Sequence, residues 1–181
     1  MEKIRNLFLL FIFFAVLGWI YEVVITALAY GYFENRGFLF GPWLPIYGFG
    51  GTALYAVFGR LVKKPVKPMH AILRTAALVA GIALMTAAFE LAASYLLDAV
   101  GIGYRTLWFY DGQPLNFDGR VSFFSSLRFG VIGVLALYLA VPLWERFTCI
   151  KNKRLLNISS YTVIGLFLAD LALRIPFGSN M

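Results

Sequence analysis

Five apolar stretches, each about as long as a bilayer core is thick, leave this chain few folds to choose from. Backbone inside a membrane has no water to bond to, so each crossing satisfies its own amides as a helix of about 20 apolar residues. The stretches run from about Leu7 to Ala29, Leu44 to Leu61, Ala71 to Val100, Val121 to Leu143 and Ile158 to Ile175. The third would reach ~45 Å at 1.5 Å per residue, so it tilts or projects beyond the bilayer. Mean hydropathy is +0.78, and 61% of residues are hydrophobic against 14% charged, which excludes an ordinary soluble domain. The reading is an all-α polytopic membrane protein: one integral domain over residues 1–181 with about five transmembrane helices.

Several chemistries drop out early. Cys149 is the sole cysteine, so there is no disulfide framework and no cysteine-based metal site. His70 is the sole histidine and lies in the basic linker Lys63-Lys64-Pro65-Val66-Lys67-Pro68, which removes most zinc and histidine-base mechanisms. No cofactor and no metal are expected. The formal charge of +7 does not point to nucleic acid, because the basic residues flank the apolar runs and report topology. One side would carry Lys3, Arg5, Arg60, Lys63, Lys64, Lys67, Arg74, Arg146, Lys151, Lys153 and Arg154; the other Arg36, Arg105, Arg120, Arg128 and Arg174. Eleven against five places the N-terminus inside and the C-terminus outside, in a bacterial cytoplasmic membrane, with Cys149 shielded from external reagents. Ala27-Leu28-Ala29 resembles a signal-peptidase site, but the long preceding helix with Glu22 in it reads as uncleaved.

The costly residues are Glu22, Glu90, Arg128 and Asp170, each embedded in apolar sequence. A charge at the centre of a spanning helix costs about 3 kcal/mol unless it is paired or faces water. In this topology Glu22, Glu90 and Asp170 fall in the outer halves of their helices. Arg120 opens the fourth from outside, with Arg128 about two turns further in. The two outer connections add Asn35, Arg36, Tyr47, Trp108, Tyr110 and Asn116, and Tyr95 lies near the outer end of the third helix. This asymmetry predicts a polar pocket open to the external side. Plainer roles compete for several members. Asp170 and Arg174, four apart, form a simple pair on one helix face. Arg128 serves as a counter-ion for Glu22 or Glu90. Tyr104, Trp108 and Tyr110 form an interfacial aromatic belt.

The segment Asn35-Arg36-Gly37-Phe38-Leu39-Phe40-Gly41-Pro42-Trp43-Leu44-Pro45-Ile46-Tyr47-Gly48-Phe49-Gly50 cannot sustain a regular helix throughout, because proline removes an amide donor and glycine adds an entropic cost. Non-helical backbone at membrane depth is tolerated only against protein or a watery cavity. It reads as a turn or re-entrant element delivering Arg36 and Tyr47, against the alternative of an ordinary loop. Gly48-Phe49-Gly50-Gly51 is followed by no Gly-Lys-Ser/Thr, so it is not a phosphate loop. No internal repeat is visible.

Leu17-Gly18-Trp19-Ile20-Tyr21-Glu22, Asn35-Arg36-Gly37-Phe38-Leu39, Gly41-Pro42 and Pro45-Ile46-Tyr47-Gly48 form one set of motifs. Glu90-Leu91, Ser94-Tyr95, Trp108, Tyr110, Asn116, Gly119-Arg120 and Phe129-Gly130 form another. Together they resemble the ABC-transporter type IV permease family, the CmpB-like membrane proteins. The resemblance implies a permease with an energising ATPase on another chain, and carries over no substrate and no catalytic residue. The only cytoplasmic surfaces for such a partner are the Pro/Lys linker and the basic stretch Trp144–Asn157, which also reads as an interfacial amphipathic helix on anionic headgroups.

The leading expectation is a membrane transport or substrate-binding subunit. Glu22 and Glu90 would bind a cationic group or proton, and Arg36 and Arg120 a carboxylate or phosphate, with all four meeting in one outer pocket. The alternatives are an intramembrane enzyme or binding protein that handles lipid headgroups, and a structural or regulatory protein whose ion pairs only hold the bundle together. Membrane lipids and a small-molecule or lipid ligand are the other expected partners.

Overall fold

Unbroken runs of Leu, Ile, Phe and Ala make α1 a helix of 29 residues, Glu2–Tyr30, which closes where the Gly31 N–H bonds the Ala27 carbonyl at 2.8 Å. The computed structural model describes residues 2–37, 39–101, 103–106, 108–148 and 153–177. Prolines suit the first turn of a helix, where no intrahelical partner exists for the missing N–H, and they open both α2 (Pro45–Val62) and α3 (Pro68–Ala99). A turn of 3-10 helix (Tyr104–Thr106) and a two-stranded hairpin, β1 (Asn116–Phe117) with β2 (Val121–Ser122), follow. Then come α4 (Phe123–Leu135), a π-helical turn (Ala136–Ala140), α5 (Val141–Thr148) and α6 (Lys153–Phe177). The π turn has a local cause: Pro142 offers no N–H to the carbonyl four residues back, and its ring crowds it. The Val141 N–H bonds the Ala136 carbonyl instead, five residues back.

The all-helical membrane architecture is as expected. Four segments are long and apolar enough to cross a bilayer: Lys3–Tyr30, Pro68–Ala99, Phe123–Arg146 and Leu156–Arg174. The expected second span falls at α2, which is helical over 18 residues but diluted by Pro45, four glycines and Arg60. The described residues of the basic stretch Trp144–Asn157 belong to the end of α5 and the start of α6, and form no separate interfacial helix. Cys149, Ile150 and Lys151 lie outside the described residues.

The chain forms two compact units, one made of Met1–Ala53 with Pro142–Met181, the other of Leu54–Val141. In the first, Ile12, Leu39 and Phe167 form a buried core, with Phe8, Phe11 and Trp43 packed around it. Helices α1 and α6 run parallel here. The Arg5 guanidinium donates to Asn157 Oδ1 at their first turns, and Phe8 and Phe11 meet Phe167 further along at 5.8 and 5.6 Å. Helix α2 starts halfway down α1. The Leu44 N–H bonds the Ala15 carbonyl at 3.0 Å, and Gly48 packs so tightly that a Cβ would come within 2.6 Å of the Phe11 ring. Ala15 lies ~22 Å from the far end of α1 at 1.5 Å per residue. The non-helical limb Gly31–Leu44 therefore descends along about half of α1 before α2 begins.

In the second unit α3 and α4 pack antiparallel through small residues. Gly130 is buried, and a Cβ there would stand 2.5 Å from the Val79 carbonyl oxygen. Only glycine lets the two backbones approach so closely, which is how spanning helices gain contact without a hydrophobic driving force. Ile82 and Leu137 fill the interior. Large apolar side chains such as Ile72 and Leu84, both above 70% exposed, face outward as lipid-facing positions would.

Candidate functional site

The limb of the first unit is held by one carboxylate. Asp170, buried in α6, accepts the Phe40 N–H at 3.0 Å, the Gly41 N–H at 2.7 Å and the Trp43 indole N–H at 2.6 Å. Irregular backbone has no ladder of its own, so its amides need outside acceptors, and a carboxylate with four lone-pair sites can serve three. Arg174 lies close enough for its charge to act on Asp170 and stacks over the Phe40 ring at 4.8 Å. The expected pairing with Arg174 is thus a secondary feature of Asp170, whose main task is to hold the limb.

The limb's other end is tied to α1. The Trp19 indole N–H donates to Asn35 Oδ1 at 2.7 Å, and the Asn35 amide donates to the Phe40 carbonyl at 3.1 Å. Asn35 is therefore a strut. Arg36 pairs with Glu34 at 3.3 Å, both side chains more than 40% exposed, a geometry worth little to stability. Where the limb turns into α2, the Tyr47 hydroxyl donates to Glu22 Oε1, so the α1 carboxylate sits beside the first turn of α2.

The second unit carries the other expected residues. The Ser125 hydroxyl donates to Tyr110 Oη at 3.0 Å, and the Tyr110 hydroxyl donates to Glu90 Oε1 at 2.8 Å. Glu90 Oε2 is shut off from solvent and has no hydrogen-bond partner among the described residues. Arg128, nearly one turn beyond Ser125, is near enough for its charge to act on both Glu90 and Tyr110. Burial pushes the Tyr110 phenol up to about 12, Ser125 opposes the shift, and the neighbouring Glu90 adds to it. Arg128 forms no ion pair with Glu90 within 4 Å among the described residues, so its influence on Glu90 is that of a nearby charge.

Arg120 is committed within its own unit. Its guanidinium donates to Asp98 at 2.6 Å, Asp118 at 3.0 Å and Ser94 at 3.3 Å, and lies 4.5 and 4.3 Å from the rings of Tyr95 and Tyr104. Hydrogen bonding to Asp98, with Asp118 second, holds it above the usual arginine range. Asp98 and Asp118 occupy the place expected for a ligand's carboxylate or phosphate. Tyr104 and Trp108 donate to the Asp118 and Arg120 carbonyls at 2.8 and 3.1 Å, and the Tyr110 N–H bonds the Gly119 carbonyl at 2.8 Å. Asn116 shapes the hairpin by donating to the Gln113 carbonyl and accepting the Gly119 N–H. The aromatic loop is therefore folded on itself, with Tyr104, Trp108 and Asn116 bonded to its own backbone, while the Tyr110 hydroxyl reaches Glu90 on α3.

Each unit thus assembles its own small set of polar groups. Glu22 joins Tyr47 in the first; Glu90, Tyr110 and Arg128 form one cluster in the second, and Arg120 and Tyr95 another. Ser125, Asp98 and Asp118 were not anticipated. Ser125 had a legible signal, since Ser125-Ser126 and Arg128 share the first two turns of an apolar helix. Among the described residues, no group of three or more His, Cys, Asp or Glu could hold a metal ion.

The family described as "Putative ABC-transporter type IV" matches residues 9–175. Neither a curated protein nor a solved structure matches the chain.

Proposed function

Since the chain belongs to the ABC-transporter type IV family, we propose that it is the membrane subunit of a bacterial inner-membrane transport system, energised by an ATPase on a separate chain. The observation that supports this most is the broken second crossing, where the Gly31–Leu44 limb replaces helix along half of α1. Irregular backbone at membrane depth is expensive, and transporters place such breaks where substrate or coupling ions bind. Glu22 and Tyr47 stand at this break, and Glu90 with Tyr110 supplies a second acidic group. Both carboxylates suit a cationic group or a proton. With Arg120 engaged by Asp98 and Asp118, Arg36, whose pairing with Glu34 is exposed and weak, is the cation we assign to an anionic ligand. Affinity purification of the chain from native membranes, followed by reconstitution, should yield co-purifying, ligand-stimulated ATP hydrolysis. A chain that purifies alone under crosslinking would overturn the ATPase partnership.

Parity supports the topology. Because α1 and α6 run parallel, the chain recrosses the membrane an odd number of times between them. The spans Pro68–Ala99 and Phe123–Arg146 supply two crossings, and the limb with α2 supplies the third. Five crossings and the distribution of Lys and Arg support a topology with the start of α1 in the cytoplasm and the end of α6 outside. A reporter fused after α6 should be active only on the external side; cytoplasmic activity would reduce the crossings to four.

A further inference from the structure

We infer that the cleft between the end of α2 and the start of α3 binds an anionic phospholipid, with the phosphate on Lys64 and Arg74 and acyl carbons inside. The cleft has a volume of about 200 Å³; Phe58, Leu61, Val66 and Leu78 line it, and Lys64 and Arg74 are its polar members. Its two chemistries meet in one molecule only if that molecule is an amphiphile. Arg74 Nη1 donates to the carbonyls of Leu61 at 3.2 Å and Lys64 at 2.5 Å, which fixes the guanidinium across the helix end. The Arg74 Nε–H is buried with no partner among the described residues. An unmatched donor carries the full desolvation cost, which a phosphate oxygen would relieve. From Leu54 to Phe89 the sequence has Arg60, Lys63, Lys64, Lys67 and Arg74 and no Asp or Glu, so nothing in this stretch repels an anion. A basic cleft at a helix end, beside outward-facing apolar surface, is the geometry that anionic headgroups select. The inference rests on the chain's membrane location and is independent of the transport reading.

The test uses the full chain, purified in detergent and examined by native mass spectrometry and thermal unfolding with phosphatidylglycerol or phosphatidylcholine added. Phosphatidylglycerol should be retained selectively and raise the unfolding temperature. Lys64→Gln, and Arg74→Lys, which keeps the charge and removes the Nε–H, should each weaken retention about tenfold. Ala77→Trp, which fills the cleft and leaves every charge in place, should abolish retention. Should Arg74→Lys misfold through loss of its carbonyl contacts, Lys64→Gln and Ala77→Trp decide the matter. Equal retention of the two lipids, undiminished retention by Ala77→Trp, or equal stabilisation by inorganic phosphate alone would each overturn the proposal, the last in favour of a free-anion site.

Discussion

Asp170→Ala is expected to release the Gly31–Leu44 limb and to cost about 4 kcal/mol or more. Three N–H groups lose a charged acceptor at once, and hydrogen bonds to charged groups contribute about 1.5–3 kcal/mol each. An irregular segment has no helical carbonyl in register to take over, so the Phe40, Gly41 and Trp43 donors lose their acceptor. Asp170→Asn is the sharper variant. Its carbonyl oxygen can keep the Gly41 and Trp43 donors that share Oδ2, but its amide would then face the Phe40 N–H, so a smaller loss should persist. Thermal unfolding in detergent and limited proteolysis of the limb would read this out. A change within about 0.5 kcal/mol, the range of an ordinary surface substitution, would show that the limb does not depend on Asp170.

Glu90→Gln is expected to do the reverse: leave the fold intact or raise its melting temperature by about 3 °C, and abolish transport. One carboxyl oxygen already has Tyr110, whereas the other is buried without a partner among the described residues, so the site carries an electrostatic cost that a neutral amide lowers. A stabilisation of about 1 kcal/mol corresponds to a shift of a few degrees for a chain of this size. Groups whose burial costs stability are retained where they work, so the sign of the stability change separates a working carboxylate from a brace. Glu22→Gln provides the companion measurement at the limb. Normal activity in both variants, with each less stable, would leave only the structural role.

Much of the architecture was legible because helix formation in a membrane is local. The lengths of the apolar runs located the long helices with no knowledge of their neighbours, although α3 opens at Pro68, three residues before the expected Ala71. The limb was legible too, since Gly37, Gly41, Pro42 and Pro45 rule out helix there. The partners of the charges were not. Spacing along one helix paired Asp170 with Arg174, yet the donors that occupy Asp170 come from Phe40, Gly41 and Trp43, about 130 residues away in the chain. Similarly, Arg120 read as a free cation near the external face, and only the hairpin and the end of α3 bring Asp118 and Asp98 onto it.

The sequence by itself determined that this chain is a set of membrane helices with a Gly/Pro-rich break in helix after the first, because hydrophobicity and backbone hydrogen bonding act over a few residues. Only the tertiary structure decided which buried charges are satisfied. Asp170 holds three donors and Arg120 two carboxylates, whereas Glu90 keeps one oxygen unmatched among the described residues, because desolvation depends on what packs around a group and not on its place in the chain.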